Sequence, residues 1–254
     1  MRTLVVLWLL AELFMMFVAD VEQPIVLDEI VKILRKAETA QRKRIPKSLL
    51  SKNAPLERGE YGPNSFLAVF PRLSLESGQI LDFVYDFQEL GGHPIVYARS
   101  TDRVPFSCLA EFKKEFPRRY FLGDKVRFDP FYLRSIRADD NPDGFLQLAM
   151  LVLTGEQFYI HWHAVYYIFR PVMDRATLDD IVRTLPEDLR KQAGAIDFAP
   201  QVLMGKNKVN VQFVVFCPWQ GFTRITWTVG RAFPHRFIRV DERILLPYKN
   251  PLRF

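Results

Sequence analysis

The sequence predicts an α+β fold: antiparallel sheet built from hairpins and flanked by helices, with an apolar and an amphipathic helix at the N-terminus. Three observations predict it. From residue 65 onward the apolar period changes from helical to alternating, and residues 80–87, 209–216 and 222–229 read as strands. The last two runs are joined by the short turn CPWQG, and strands joined by tight turns pair antiparallel. Sustained helical spacing is found at residues 26–44 and 177–193, so the main helices stand at one end and in one insertion instead of alternating with strands. The 254 residues, 49% apolar and 25% charged, are enough to bury a substantial core.

Taken in order, residues 1–20 come first. The stretch TLVVLWLLAELFMMFVA (3–19) follows Arg2 and is apolar except for Thr3 and Glu12, like a signal peptide's apolar core or a short anchor. Cleavage after Ala19 would want a small side chain where Phe17 stands. Its ten Leu, Val and Phe residues, at about −0.3 to −0.6 kcal/mol each, are offset by roughly 2.5 to 3.5 for Glu12, so insertion is near neutral. The chain is therefore read either as membrane-anchored through residues 3–19 or as cytoplasmic, with this stretch a buried helix or an over-extended start.

Residues 21–64 read as an amphipathic helix and a linker. Val26, Ile30, Ile33, Leu34 and Ala37 make one apolar stripe, and Asp28 and Glu29 at the start and Arg42, Lys43 and Arg44 at the end suit the helix dipole. Pro46 stops the helix, and Pro55, Gly59, Gly62 and Pro63 mark an irregular connection to an α+β domain over 65–254. There FLAVF (66–70) and ILDFVYDF (80–87) read as strands, GGHP (91–94) as the turn into IVYARS, 109–116 as a short helix and RADDNPDG (137–144) as a polar loop. The apolar stretch 145–169, broken at Thr154-Gly155-Glu156, reads as a hairpin in which Gly155 supplies a positive φ. Thr177 and Asp180 form a capping box for a helix that Pro186 restarts, with Thr184 as a second cap, before strands at 209–216, 222–229 and 236–246.

Chemistry is sparse. The loops and motifs that cradle phosphates, bind dinucleotides, present a nucleophilic serine or hold a helical zinc site are absent, which favours binding over catalysis. Cys108 and Cys217 make no metal-binding ladder, and Cys217 reads as a small buried thiol that His235 does not activate. Asp82 and Asp86 stand about 13 Å apart on one strand face, too far to work as a pair, and are expected to face solvent. The net charge of +6 admits an anionic partner or a membrane surface, and a dispersed basic surface admits nucleic acid.

FYIHWHAVYYIF (158–169) holds the strongest site candidates. On a strand, His161 and His163 share a face with Tyr159 and Tyr167, about 6.5 Å apart, so the two imidazoles could bind one divalent metal. In the hairpin, Met150 and Leu148 lie opposite them, so that face is expected to be partly covered, as a ligand pocket or by packing. Gly155 with these histidines gives G-x5-H-x-H, which resembles the opening of the cupin metal motif and implies a metal held by both. The resemblance covers nine residues. A cupin continues with a glutamate where this chain has Tyr167 and Ile168, and no second motif follows. Asp82, Asp86 and His93 are chemically suitable further ligands. The preferred function is a non-catalytic binding or interaction protein, at a membrane or with a protein partner; the alternatives are a metal-dependent hydrolase centred on His161 and His163, and nucleic-acid binding.

Overall fold

The computed structural model describes residues 21–22, 25–41, 44–50, 62–88, 91–116 and 130–249; residues 3–19, read as an anchor or buried helix, lie outside these. Among the described residues, no helix is long and apolar enough to cross a membrane. Strand β1 (Val21–Glu22) precedes helix α1 (Leu27–Gln41), whose Ile30, Ile33 and Ala37 enter the main core at the predicted helical spacing. The Val26 N–H donates to Asp143 Oδ1 (3.0 Å), which pins the start of α1 to the body.

A helix, α2 (Pro63–Leu67), replaces the expected strand at 66–70. Pro63 at its first turn presets the helical φ, and Phe66 and Phe70 bury one turn apart with ring centroids at 5.6 Å. Strand β2 (Leu73–Leu75) leads to the hairpin of β3 (Gln79–Gln88) and β4 (Gly91–Ser100). Pairing runs from Gln79 with Ser100 to Gln88 with Gly91, so GGHP belongs to the strand and not to a turn. Leu81, Phe83 and Tyr85 face the main core as their alternation predicts.

The opposite face corrects the sequence reading, because Asp82 and Asp86 are buried, not solvent-facing. Helix α3 (Leu109–Glu115) lies over it, and Phe106, Phe112, Phe116 and Phe131 pack on Val84, Ile95 and Tyr97. The cover comes from Phe106, Leu109, Phe112, Phe116 and Phe131, beyond the reach of any local pattern. Burial is compensated: Asp82 accepts from Arg99 Nε at 3.0 Å, and Asp86 accepts from Gln88 Nε2 at 3.2 Å and pairs across the strands with His93.

Strand β5 (Ile136–Ala138) pairs with β2, and the chain then enters α4 (Pro142–Thr154), a helix where the first strand of a hairpin was expected. Asn141 is the reason. Its side chain accepts the Gly144 N–H at 2.8 Å and Pro142 follows in the first turn, a capping arrangement that commits the next residues to a helix. Gly144 is required by close approach, since a Cβ there would stand 2.2 Å from the Asp139 carbonyl oxygen. Every residue from Gly144 to Thr154 is buried, so the helix is enclosed on all sides and carries little 3.6-residue signature.

Two short strands follow, β6 (His161–Trp162) and β7 (Arg170–Val172), then α5 (Arg175–Val182) and α6 (Glu187–Ala193). Asp174, not Thr177, caps α5, accepting the Thr177 N–H at 2.7 Å; the chain restarts after Pro186 as expected. Strands β8 (Gln201–Met204), β9 (Lys208–Cys217), β10 (Gly221–Gly230) and β11 (Phe237–Pro247) complete an antiparallel sheet in the order β1-β8-β9-β10-β11, with β7 on β9. One face, with Val211, Phe213, Ile225 and Trp227, packs toward α4 in the main core. The other, with Val214, Phe216 and Phe222, is covered by Leu178 and Ile181 of α5 and by Ala193 of α6. The fold is α+β, with sheets of six, three and two strands among the described residues.

Candidate functional site

The chain leaves α4 at Gly155 with an ordinary φ of −64°, so no type II′ turn forms there, and it does not run on as one strand. Tyr159 (φ 51°), two residues before a two-residue strand, and Trp162 (φ 48°), its last residue, have positive φ, which side-chain-bearing residues rarely adopt. That strand pairs His161 with Gly92 and Trp162 with Gly91. The glycine pair makes the approach feasible: a Cβ on Gly91 would stand 3.0 Å from the Ala164 nitrogen, and one on Gly92 would stand 2.8 Å from the Tyr85 ring. A 3₁₀ turn, His163–Tyr167, follows.

Alternation therefore does not place His161 and His163 on a common strand face. The half-buried His161 ring stacks on Phe87 (centroids 5.9 Å), and His163 packs on the exposed Trp162 (4.3 Å). Tyr159 is buried, with its carbonyl accepting from the Tyr85 hydroxyl at 2.6 Å, and the Tyr167 side chain is outside the described residues. Phe87 and His161 lie on one face of the β3-β4-β6 sheet, while Asp82, Asp86 and His93 lie on the other. Among the described residues, no three His, Cys, Asp or Glu side chains gather as a metal site.

A different part of the same segment encloses space. A cleft of about 450 Å³ opens between α1 and residues 154–173. Val31 and Leu34 of α1 form one wall, and Ile160, Val165, Ile168 and Met173 contribute the other. Its polar groups are largely spent internally: the Thr154 hydroxyl donates to the Met150 carbonyl (2.6 Å), and the Gln157 amide to the carbonyls of Leu153 (2.7 Å) and Phe169 (3.2 Å). Charge enters the lining through Arg35, Glu38, Arg44 and Arg170. Arg35 pairs with Asp174 (2.9 Å), and Arg170 with Asp180 (2.6 Å) and Glu38 (3.5 Å).

Three titratable groups lie away from the cleft. Burial pushes the Glu156 carboxyl up to about 7, although it accepts the Val96 N–H (2.9 Å) and so completes the free edge of β4. Burial lowers His93 against the pull of Asp86. Burial also lowers His235, whose neutral form is fixed by geometry: Nδ1–H donates to the Gly230 carbonyl (3.0 Å) and Nε2 accepts the Ala138 N–H (3.2 Å). His235 follows the end of β10 opposite to Cys217, so the two do not form a thiol–imidazole pair.

No family model, curated protein or solved structure matches this chain.

The cleft takes Ile160, Val165 and Ile168 from the stretch that holds His161 and His163, and its second wall from α1. A signal for α1 was present: Val31 and Leu34 widen its apolar arc beyond the Ile30-Ile33-Ala37 stripe that the core uses. Nothing in the sequence showed that residues 154–173 would stand against that arc.

Proposed function

We propose that the protein is a non-catalytic binding protein and that its ligand is a small, elongated apolar molecule held between α1 and residues 154–173. The observation that carries this reading is the cleft itself. Its volume of about 450 Å³ falls within the usual range for small-molecule sites, its walls are apolar, and its inner hydrogen-bonding groups are already engaged by the backbone. Such a space recognises a chain by burial, at roughly 0.8 kcal/mol per methylene. The metal-hydrolase alternative gains no support, because no third ligand stands near His161 or His163 among the described residues. Nucleic-acid binding gains little, because Arg72, Arg103, Arg231 and Arg239 are each engaged with carboxylates.

Calorimetric titration with decanol tests the proposal. Saturation at one molecule per chain is expected, with the negative heat-capacity change of apolar burial. Absence of any saturable heat up to the solubility of the alcohol contradicts it.

A further inference from the structure

We infer that the ligand of this cleft carries an anionic head, a carboxylate on an apolar chain, and that Arg44 receives it. The inference rests on the cleft being the binding site and adds the chemistry of the ligand's polar end. Three guanidinium groups and one carboxylate belong to the lining. Arg35 and Arg170 are held by Asp174, Asp180 and Glu38, so they contribute field more than free donors. Arg44, just past the end of α1, is exposed and has no carboxylate partner among the described residues. It is the cation of the lining left to pair with something else.

The rest of the cleft argues the same way. With the Thr154 hydroxyl and the Gln157 amide donors turned to backbone carbonyls, a neutral polar head finds few partners within it, and an ammonium head meets the like charge of Arg44. A carboxylate matches the planar fork of a guanidinium with two parallel bonds, and the apolar walls beside it weaken screening by water. The occupant is thus a single long-chain carboxylate, not a bilayer surface.

Comparing decanoate, decanol and decylamine as ligands separates this inference from the cleft reading. Wild-type protein should bind decanoate about tenfold more tightly than decanol, the effect of a two-bonded carboxylate pair on an exposed guanidinium. In Arg44→Gln, decanoate affinity should fall to that of decanol; the residue is exposed, and an unchanged thermal midpoint will show that the fold is intact. If none of the three ligands binds, the cleft reading fails and takes the inference with it. If decanol binds as well as decanoate, if decylamine binds best, or if Arg44→Gln keeps the preference, the cleft stands and the carboxylate inference is overturned.

Discussion

The β9–β10 hairpin and the segment 145–169 are both rich in apolar residues, yet one folds as its sequence reads and the other does not. In β9 and β10 alternate residues serve different neighbours: Val211, Phe213, Ile225 and Trp227 face the main core, while Asn210, Gln212, Thr226 and Thr228 face outward. The period of two is therefore written into the side chains. In 145–154 every residue is buried, so no face needs to differ from another and the run carries little period. A continuous apolar run states that a segment is interior. What decides its conformation is the residue that starts it, here Asn141 with Pro142 behind it.

The largest expected effect falls on the hairpin. Trp227 is fully buried and meets Phe213 edge-on at 5.0 Å and Phe237 at 4.9 Å, so Trp227→Ala should lower the unfolding free energy by about 3 to 5 kcal/mol in urea titrations. A loss below about 1 kcal/mol would mean that this face is not the core.

Next comes the junction between the two regions' neighbours, where Glu156 joins the end of α4 to β4. Its folded-state pKa is raised to about 7, so the folded protein holds that proton more firmly than the unfolded chain. The stability tied to it is fully present below the unfolded value near 4.5 and is lost as pH rises through about 7. Glu156→Gln keeps an oxygen for the Val96 N–H and carries no charge. The variant should gain on wild type as pH rises, by roughly 3 kcal/mol at most, in stability measured across pH 5 to 9. A constant difference would place the carboxylate in water. Lowered His93 and His235 give slopes of the opposite sign, lost as pH falls below the imidazole range, which is why the comparison is made against the variant.

Asn141→Ala should have the smallest effect. Removing the acceptor for Gly144 N–H costs about 1 kcal/mol and should speed amide exchange in the first turn of α4 ahead of its middle. Unchanged exchange there would show that burial alone, and not the cap, makes this segment helical.

These cases locate what was legible. Strands β3, β9, β10 and β11 and helices α1, α3 and α5 followed from period and punctuation, and the α+β class followed with them. Pro63 was read as part of a connection and Asn141-Pro142 as part of a polar loop, whereas each starts a helix. Gly91 and Gly92 were read as a turn because a glycine pair looks the same whether it bends its own chain or admits another; here it admits residues 161–164. The burial of Asp82 and Asp86 and the cleft itself were not legible, since both arise from segments that meet only in the folded molecule.

The central claim is that the space beside α1 holds a ligand, and filling that space tests it most directly. Leu34 lies on the cleft wall and is only partly buried, so Leu34→Trp places an indole in the space without opening the core. Decanol should lose at least about tenfold in affinity for this variant, with the thermal midpoint of the protein unchanged. Wild-type affinity in the filled variant would contradict the account.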